Sequence, residues 1–258
     1  AGNFNLTNVD ELFDILVEIG QHPKQKSDTV TVMEKIGHYL DEGNQALYDK
    51  FKSEGYSRQE ISKLIAEHLD LQIILQNSAV DWDGGYAMAG LLGHGDAFVL
   101  RDPSGIRPAF WYQDDEVVVV TSERPAIQTT FNVPIDTIKE ITPGHALIIK
   151  KDGEVGEKMV REPLEKTPCS FERIYFSRGS DQDIYIERKQ LGRNVVPQVL
   201  KSINNDLKNS VFSFIPNTAE ISFYGMMKGM QEKLNDVKAD KIAALGSNPD
   251  KEEVAKIL

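Results

Sequence analysis

The chain has 258 residues, of which 40% are hydrophobic and 27% charged, a composition typical of globular proteins and a length sufficient for one large or two small domains. Its formal net charge of −11 argues against a nucleic-acid partner, which needs a basic face, and no apolar run approaches the ~18 residues of a membrane span. The single cysteine, Cys169, excludes an intrachain disulfide, so we expect a reducing, cytoplasmic compartment.

Residues 1 to about 80 are predicted to be helical. Asn8 with Glu11 has the spacing of a capping box, and Gly20 is placed to end that helix. A second helix is predicted to begin near Ser27 or Asp28 and to stop at residues 41–43. A short third helix follows, and a second capping box, Ser57 with Glu60, opens another.

Residues 81 to about 160 alternate short β-prone runs with turn residues. Connections this short join neighbouring strands in antiparallel fashion, so we predict one antiparallel sheet of five or six strands. The predicted strands are Tyr86–Leu92, Ala97–Arg101, Pro108–Tyr112, Glu116–Thr121, His145–Lys150 and Glu154–Met159.

Residues 161–170 are polar and contain two prolines, which is typical of a linker. A long helix is predicted from Ile184 to Leu207 with a kink near Pro197. The run Ser210–Ile215 is predicted as a buried strand that turns into a helix from Ala219 to Leu234. Strand, turn and helix in this order are half of a βαβ unit.

Two polar side chains are candidates for chemistry near the beginning of the chain. The Asn3 carboxamide, beside backbone N–H groups, could stabilise an oxyanion during acyl transfer; the alternative is a turn or cap residue. Asp28 could bind the α-amino group of an amino acid; the alternative is a helix N-cap.

The remaining reactive residue types indicate structure rather than catalysis. Cys169 has no neighbouring base and is interpreted as a structural thiol. The five histidines show no metal-binding spacing. The string Arg101–Pro108 fits a salt-bridged turn better than an anion site.

Taken together, several segments resemble the amidophosphoribosyltransferase family. Asn3–Asn8 resembles its glutamine loop, and Ser27-Asp28 its anchor for the substrate amino group. Arg101–Pro108 resembles a turn of its glutaminase domain, and the strings Cys169–Arg178 and Phe214–Glu220 resemble the beginning of its transferase domain. The Arg-Asp-Pro-x-Gly-Ile-Arg-Pro and Cys-x-Phe-Glu strings are the specific ones.

The resemblance implies an α+β fold: a partial N-terminal-nucleophile hydrolase domain with an antiparallel sheet and helices, followed by the start of an α/β phosphoribosyltransferase domain. It implies a class II glutamine amidotransferase domain at residues 1–160, a linker at 161–170, and the second domain from 171 to 258. Such enzymes transfer ammonia from glutamine to phosphoribosyl pyrophosphate, giving phosphoribosylamine in purine synthesis. Homo-oligomers are expected.

The resemblance also implies roles for single residues. Asn3 would be the oxyanion donor, the Phe4 backbone N–H a second donor, and Asp28 the glutamine anchor. Phe4 stands where the family carries glycine, and it lacks glycine's tolerance of positive φ; if Phe4 is an insertion, the pair shifts to Gly2-Asn3. Mg²⁺ is expected with phosphoribosyl pyrophosphate in the whole family enzyme. No cofactor is predicted in this chain, and no iron–sulfur cluster.

The departures from the family lead to a further expectation. The chain begins with Ala1 and not with the family's nucleophilic cysteine, and the strands that would carry the nucleophile and the arginine for the glutamine carboxylate are not found. The acidic-pair loop that binds phosphoribosyl pyrophosphate is not found either, so the chain resembles a fragment of a family member. We therefore expect this chain alone to be inactive. Two alternatives stay open: another class II amidotransferase, such as a glucosamine-phosphate or asparagine synthetase, and a non-enzymatic binding or assembly module on a degenerate form of the fold.

Overall fold

A computed structural model describes residues 1–258, which divide into two compact units, 1–172 and 173–258. The first combines antiparallel sheets with helices, so the predicted α+β class is confirmed. Its strands are β1 (Gly2–Leu6), β2 (Gly84–Leu91), β3 (Ala97–Arg101), β4 (Phe110–Gln113), β5 (Val118–Thr121), β6 (Lys139–Glu140), β7 (His145–Ile149) and β8 (Val155–Met159). Its helices are α1 (Val9–Glu18), α2 (Asp28–Ser53), α3 (Arg58–His68), α4 (Leu71–Ala79) and α5 (Arg124–Phe131), with a 3₁₀ turn at Ile135–Thr137.

The strands form two sheets rather than the single sheet predicted. One has the order β1-β2-β3-β7-β8 and the other β5-β4-β6, and all pairs are antiparallel. The hairpins β2–β3, β4–β5 and β7–β8 match the prediction. The strands β3 and β4 do not pair, because the turn at residues 102–108 carries the chain from one sheet to the other.

The larger sheet has a core on each face. Phe98 and Leu100 of β3 belong to the core that the sheet shares with the helices, which includes Leu12 and Leu75. Val99, between them, belongs to the core that includes residues of both sheets. Side chains of a strand alternate between faces, so the first unit is layered as helices, five-stranded sheet and three-stranded sheet.

Helix α2 contradicts the break predicted at residues 41–43. It continues unbroken to Ser53. A Cβ placed on Gly43 would lie at ordinary contact distance from the side chains of Leu69, 3.5 Å away, and Ile74, 3.6 Å away, so Gly43 lies on the face of α2 that packs against the end of α3 and against α4. The packing of this face outweighs the ~1 kcal/mol that glycine costs inside a helix.

The two predicted capping boxes have different outcomes. At α3, Glu60 N–H donates to Ser57 Oγ at 3.4 Å and Ser57 N–H donates to Glu60 Oε2 at 2.9 Å, as predicted. At α1, Asn8 precedes the helix but makes no side-chain cap. Its carboxamide instead bonds the Asp81 carbonyl at 2.8 Å and the Asp83 N–H at 3.3 Å. Hydrogen bonds to the distant residues Asp81 and Asp83 thus take the place of the predicted bond to the beginning of α1.

The β2–β3 hairpin is tied to β7 by a buried carboxylate. Asp96 accepts hydrogen bonds from Lys150 Nζ and, at 2.9 Å, from the Lys151 N–H, and His94 Nε2 lies 3.3 Å away. Burial by itself raises the pKa of Asp96, but these hydrogen bonds outweigh it and hold the pKa below its ordinary value of 3.8.

We expect the destabilisation caused by Asp96→Asn to depend on pH. Because the folded pKa is depressed, Asp96 stabilises the fold above the unfolded value of 3.8, and this contribution is lost as the pH falls through the folded pKa. Urea unfolding of both proteins should give a constant difference from about pH 8 to 5 that shrinks below pH ~4. Asp136→Asn, in an exposed turn, is the control. A difference that stays constant down to pH ~2.5 would contradict the assignment.

The second unit contains helices α6 (Gln182–Ser202), α7 (Glu220–Ala244) and α8 (Lys251–Ile257); a π-helical turn, Phe171–Phe176, leads into it. Helix α6 runs through Pro197. The predicted strand Ser210–Ile215 is wrong. This segment has no regular structure, and its Val211 and Ile215 are 96% and 83% exposed. Residues 173–258 contain no strand with which it could pair, and a lone strand leaves its backbone groups unsatisfied. None of the helices in either unit is both long and apolar enough to cross a membrane.

Candidate active site at the edge of the larger sheet

Most of the predicted loop Asn3–Asn8 belongs to the edge strand β1. Ala1 and Ala89 exchange backbone hydrogen bonds of 2.9 and 2.7 Å, and the Thr7 N–H donates to the Asp83 carbonyl at 2.9 Å. In an antiparallel ladder the hydrogen-bonded pairs alternate. The backbone groups of Gly2, Phe4 and Leu6 therefore point away from β2, and the Phe4 N–H lies at the open edge.

The side chains of β1 alternate between the two faces of the sheet. Phe4 lies on the helix face, where it packs against the core. It also lines a cavity of about 800 Å³ that reaches Asp28 at the beginning of α2. Asn3 lies on the opposite face. The structure thus brings Phe4 and Asp28 to one cavity and places the Asn3 carboxamide on the other side of the strand.

Asp28 is not the N-cap of α2. Ser27 takes that position and accepts from the Val30 N–H at 3.4 Å. Asp28 Oδ1 accepts from the Thr29 N–H at 2.7 Å, while its Oδ2 has no hydrogen-bond partner. A carboxylate in the first turn of a helix is favoured by the helix dipole. Half-buried at the cavity wall, Asp28 retains one free oxygen that could accept from an ammonium group.

The walls of this cavity are apolar apart from Asp28, Thr29 and the chain's first residues. At its rim, Met33 and Leu91 are 69% and 79% exposed. The apolar wall residues are Phe4, Val32, Ile36, Leu40, Leu71, Ile74, Leu75, Met88, Leu92 and Phe98.

On the opposite face of β1, the Asn3 carboxamide contacts Glu172, which also pairs with Arg107, and neither of these two residues was predicted to belong to the site. Asn3 Nδ2 donates to Glu172 Oε1 at 2.7 Å. The same oxygen accepts from Arg107 Nη1. Arg107 and Glu172 belong to the two most specific strings in the sequence, which was the signal that could have found them.

The position of Arg107 is set by a buried carboxylate in the turn at 102–108. Asp102 is fully buried. Its carboxylate accepts from the N–H groups of Ser104 at 3.1 Å, Ile106 at 2.8 Å and Arg107 at 3.0 Å, and from the Tyr86 N–H at 3.3 Å. Four converging donors satisfy the buried charge and fix the shape of the turn.

The neighbouring Arg101 secures the same turn from inside. Its guanidinium donates to the carbonyls of Arg107 at 2.8 Å, Ile141 at 2.6 Å and Gly105 at 3.2 Å. It also pairs with Glu140 at 2.8 Å. Every contact of Arg101 is therefore internal, and the prediction of a salt-bridged turn at residues 101–108 is confirmed.

Glu172 reaches the site because the segment predicted as a linker is held against this turn. Three N–H groups of residues 164–169 donate to three carbonyls of the turn. The bonds are Leu164 to Pro103 at 2.8 Å, Thr167 to Ser104 at 2.8 Å and Cys169 to Ile106 at 3.1 Å. We call residues 164–169 the strap. It lies within the first unit.

Neither a nucleophile nor a metal-binding group adjoins Asn3. The thiol of Cys169 is half-buried in the strap and forms no disulfide. The Asn3 carboxamide bonds only to Glu172. No three side chains of the His, Cys, Asp and Glu types are grouped as metal ligands.

The similar proteins found by comparison of sequences share one name. No protein-family model matches the chain. Proteins named amidophosphoribosyltransferase are similar over most of it: 25% identity over 77% of the chain in Pasteurella multocida, 26% over 84% in Haemophilus influenzae and 27% over 85% in Escherichia coli. The chain spans 37%, 41% and 41% of these relatives, about two fifths of their length.

Two solved structures share the fold. The glutamine phosphoribosylpyrophosphate amidotransferase of B. subtilis, complexed with ADP and GMP, aligns with 90% of the chain and 43% of its own length, at a TM-score of 0.60 and 24% identity. A structure described as the allosteric regulatory enzyme of purine biosynthesis aligns with 89% of the chain and 42% of its own length, at a TM-score of 0.60 and 23% identity.

Proposed function

Since this chain is a relative of the amidophosphoribosyltransferases, we propose that it handles glutamine in a reaction of that class. In this reaction ammonia from glutamine is transferred to phosphoribosyl pyrophosphate, and phosphoribosylamine forms. The domain at residues 1–160 would bind glutamine, and residues 171–258 would begin the phosphoribosyltransferase domain. A homo-oligomer in the cytoplasm is part of the same proposal.

One observation carries this proposal. Three family-like segments that are far apart in the chain meet at one point, where Asn3 and Arg107 both contact Glu172. Random resemblance of short strings would not bring them together. The contact instead places the candidate oxyanion donor beside the two most specific motifs.

The geometry suggests how glutamine would lie. The open edge of β1 is common to both faces of the sheet, and the Phe4 N–H points into it. The substrate amino group would reach Asp28 on the helix face, while the carboxamide oxygen would approach Asn3 and the Phe4 N–H. Donors placed at a developing oxyanion contribute about 3–4 kcal/mol to catalysis.

This chain alone is proposed not to hydrolyse glutamine. Nucleophilic catalysis needs an activated nucleophile next to the oxyanion donors, and Cys169, the single cysteine, is held in the strap. The Mg²⁺ implied for phosphoribosyl pyrophosphate finds no grouped ligands here, so no step is assigned to it. Purified chain should release no ammonia from glutamine above a boiled control; steady release would refute this part.

Binding can be tested without turnover. We expect isothermal titration with L-glutamine to show weak binding that Asp28→Asn lowers by about 10-fold or more, because a charge-assisted hydrogen bond is lost. Asp41→Asn, an exposed carboxylate on the same helix, is the matched control and should bind like the wild type. Equal affinity of the Asp28 and Asp41 variants would remove Asp28 from the site.

The apolar lining of the cavity favours a second candidate, a non-enzymatic binding module. The exposed Met33 and Leu91 at the rim suit an apolar ligand better than glutamine. A binding module is the better description if two results are found together. Titration with glutamine would give no heat, and a fluorescent apolar probe would bind the wild type but not the Met33→Glu variant.

A further inference from the structure

The Asn3 carboxamide has a defined orientation because of the group that it contacts. A carboxylate can only accept hydrogen bonds, so Glu172 must face the nitrogen of the carboxamide and not its oxygen. Asn3 Nδ2 lies 2.7 Å from Glu172 Oε1. Nδ2 carries two hydrogens, and the second points away from Glu172. An oxyanion donor needs this arrangement, since a flipped carboxamide would present its oxygen to the developing negative charge.

A carboxylate next to an oxyanion donor would normally oppose catalysis, because like charges repel. Arg107 offsets this charge: its Nη1 donates to the same oxygen, Oε1. The pair is largely shielded from water, with 20% of the Arg107 side chain and 12% of the Glu172 side chain exposed. Partly buried pairs are screened less than surface pairs, so the compensation persists at physiological salt.

Arg107 is turned toward Glu172 at a cost. Its Nε is buried and has no hydrogen-bond partner. A buried donor without a partner destabilises a fold, so its presence needs a structural reason. The guanidinium is held in this direction because the backbone of Arg107 is fixed by Asp102 and Arg101.

We propose that Glu172, held by Arg107, is a positioning residue that binds one N–H of the Asn3 carboxamide and thereby fixes the second N–H toward the substrate. This rests on the proposed function of Asn3 as oxyanion donor. Glu172 itself does not touch the reacting atoms. Its role is to hold the Asn3 carboxamide in the one orientation in which an N–H can be donated to the substrate.

The test observes the Asn3 side chain directly. Chain labelled with [side-chain ¹⁵N]asparagine gives the Asn3 NH₂ signals, identified by their loss in Asn3→Asp. In the wild type we expect two well-separated proton shifts and slow hydrogen exchange. In Glu172→Ala the shifts should move toward those of Asn5, which is exposed on the same face of β1, and exchange should speed up by about 10-fold. Arg107→Leu should act in the same direction, and Glu172→Gln should fall between wild type and Glu172→Ala.

Two controls separate positioning from a general structural role. Glu165→Ala, an exposed carboxylate of the strap, should leave the Asn3 signals unchanged. The backbone N–H groups of Leu164, Thr167 and Cys169 should stay protected in Glu172→Ala. If the backbone N–H groups of the strap lose protection from hydrogen exchange together with the Asn3 side chain, Glu172 only holds the strap in place and the proposal is overturned. It is also overturned if the Asn3 signals do not change.

A functional readout distinguishes this proposal from the proposed function. If glutamine binds, Glu172→Ala should weaken it by about 3- to 10-fold, as expected when one oriented hydrogen bond is lost. If wild-type chain does not bind glutamine, the proposed function fails, while the Asn3 signals still report whether Glu172 orients the carboxamide. If glutamine binds the Glu172→Ala variant as tightly as the wild type, orientation by Glu172 has no functional role and the proposal is wrong.

Discussion

Replacing Asp102 by alanine is expected to lower the free energy of unfolding of the first unit by about 3–5 kcal/mol. The carboxylate accepts four backbone N–H bonds from Tyr86, Ser104, Ile106 and Arg107 in a fully buried site. Alanine leaves all four donors without a partner.

Urea unfolding followed by tryptophan fluorescence measures this loss, because both tryptophans, Trp82 and Trp111, lie in the cores of the first unit. Asp115→Ala, in the exposed β4–β5 turn, is the control and should change stability by less than ~0.5 kcal/mol. A loss below ~1 kcal/mol for Asp102→Ala would mean that water replaces the carboxylate, and that the turn is not held as described.

The effect of Asp102→Ala should extend to the candidate site. Arg107 would lose the bond that fixes its backbone, and Glu172 would then lose its compensating charge. The Asn3 NH₂ signals of a folded Asp102→Ala chain should therefore resemble those of Arg107→Leu. The Arg101–Pro108 string would then influence the candidate site indirectly, because Asp102 shapes the turn that positions Arg107.

Features with local signals were predictable from the sequence. The Ser57 and Glu60 box and the end of α1 at Gly20 depend on residues within four positions. The β2–β3 and β4–β5 hairpins depend on alternation and short turns, and these predictions are confirmed. Tertiary contacts decided the rest: Gly43 lies inside α2, and Asn8 bonds to residues 81 and 83.

The two errors that concern strands have one physical origin, which is pairing between distant segments. The sequence predicts a loop where the structure has strand β1, because the partners of β1 lie far away in the chain, from Gly2 with Met88 to Leu6 with Gly84, and no local pattern shows them. The run 210–215 has a strand's composition but no partner strand in the second unit. A strand needs a neighbouring strand with which to pair, so composition alone could neither identify β1 as a strand nor reject a strand at residues 210–215.

The candidate site was predictable residue by residue but not as an arrangement. Asn3, Phe4 and Asp28 came from the family resemblance, and their roles stay proposals. The placement of Asn3 and Phe4 on opposite faces of β1 follows from the alternation of side chains along a strand, which a predicted loop could not supply. Glu172 enters the site only because the strap bonds to the turn at 103–106.

The second large effect is expected in the other unit, where two helices touch through glycines. A Cβ on Gly192 of α6 would lie 1.8 Å from the Ser222 carbonyl oxygen of α7, and one on Gly225 would lie 2.0 Å from the Lys189 carbonyl oxygen. Backbone cannot yield as a flexible side chain can. Gly192→Ala must therefore push the helices apart and open the core formed by Val196, Leu200 and Met230.

We expect Gly192→Ala to destabilise the second unit by about 3 kcal/mol or more, at the upper end of the range for overpacking. Hydrogen exchange resolved along the chain should show faster exchange in α6 and α7, while β2 and β3 of the first unit are unchanged. The matched control is Gly37→Ala in α2, where a Cβ meets no atom within 4 Å. There the same substitution should stabilise by up to ~1 kcal/mol, because alanine is the better helix former. Opposite signs for one chemical change would show that close helix approach, and not helix propensity, requires glycine at position 192. A mild effect at both positions would mean that the helices of the second unit separate at little cost.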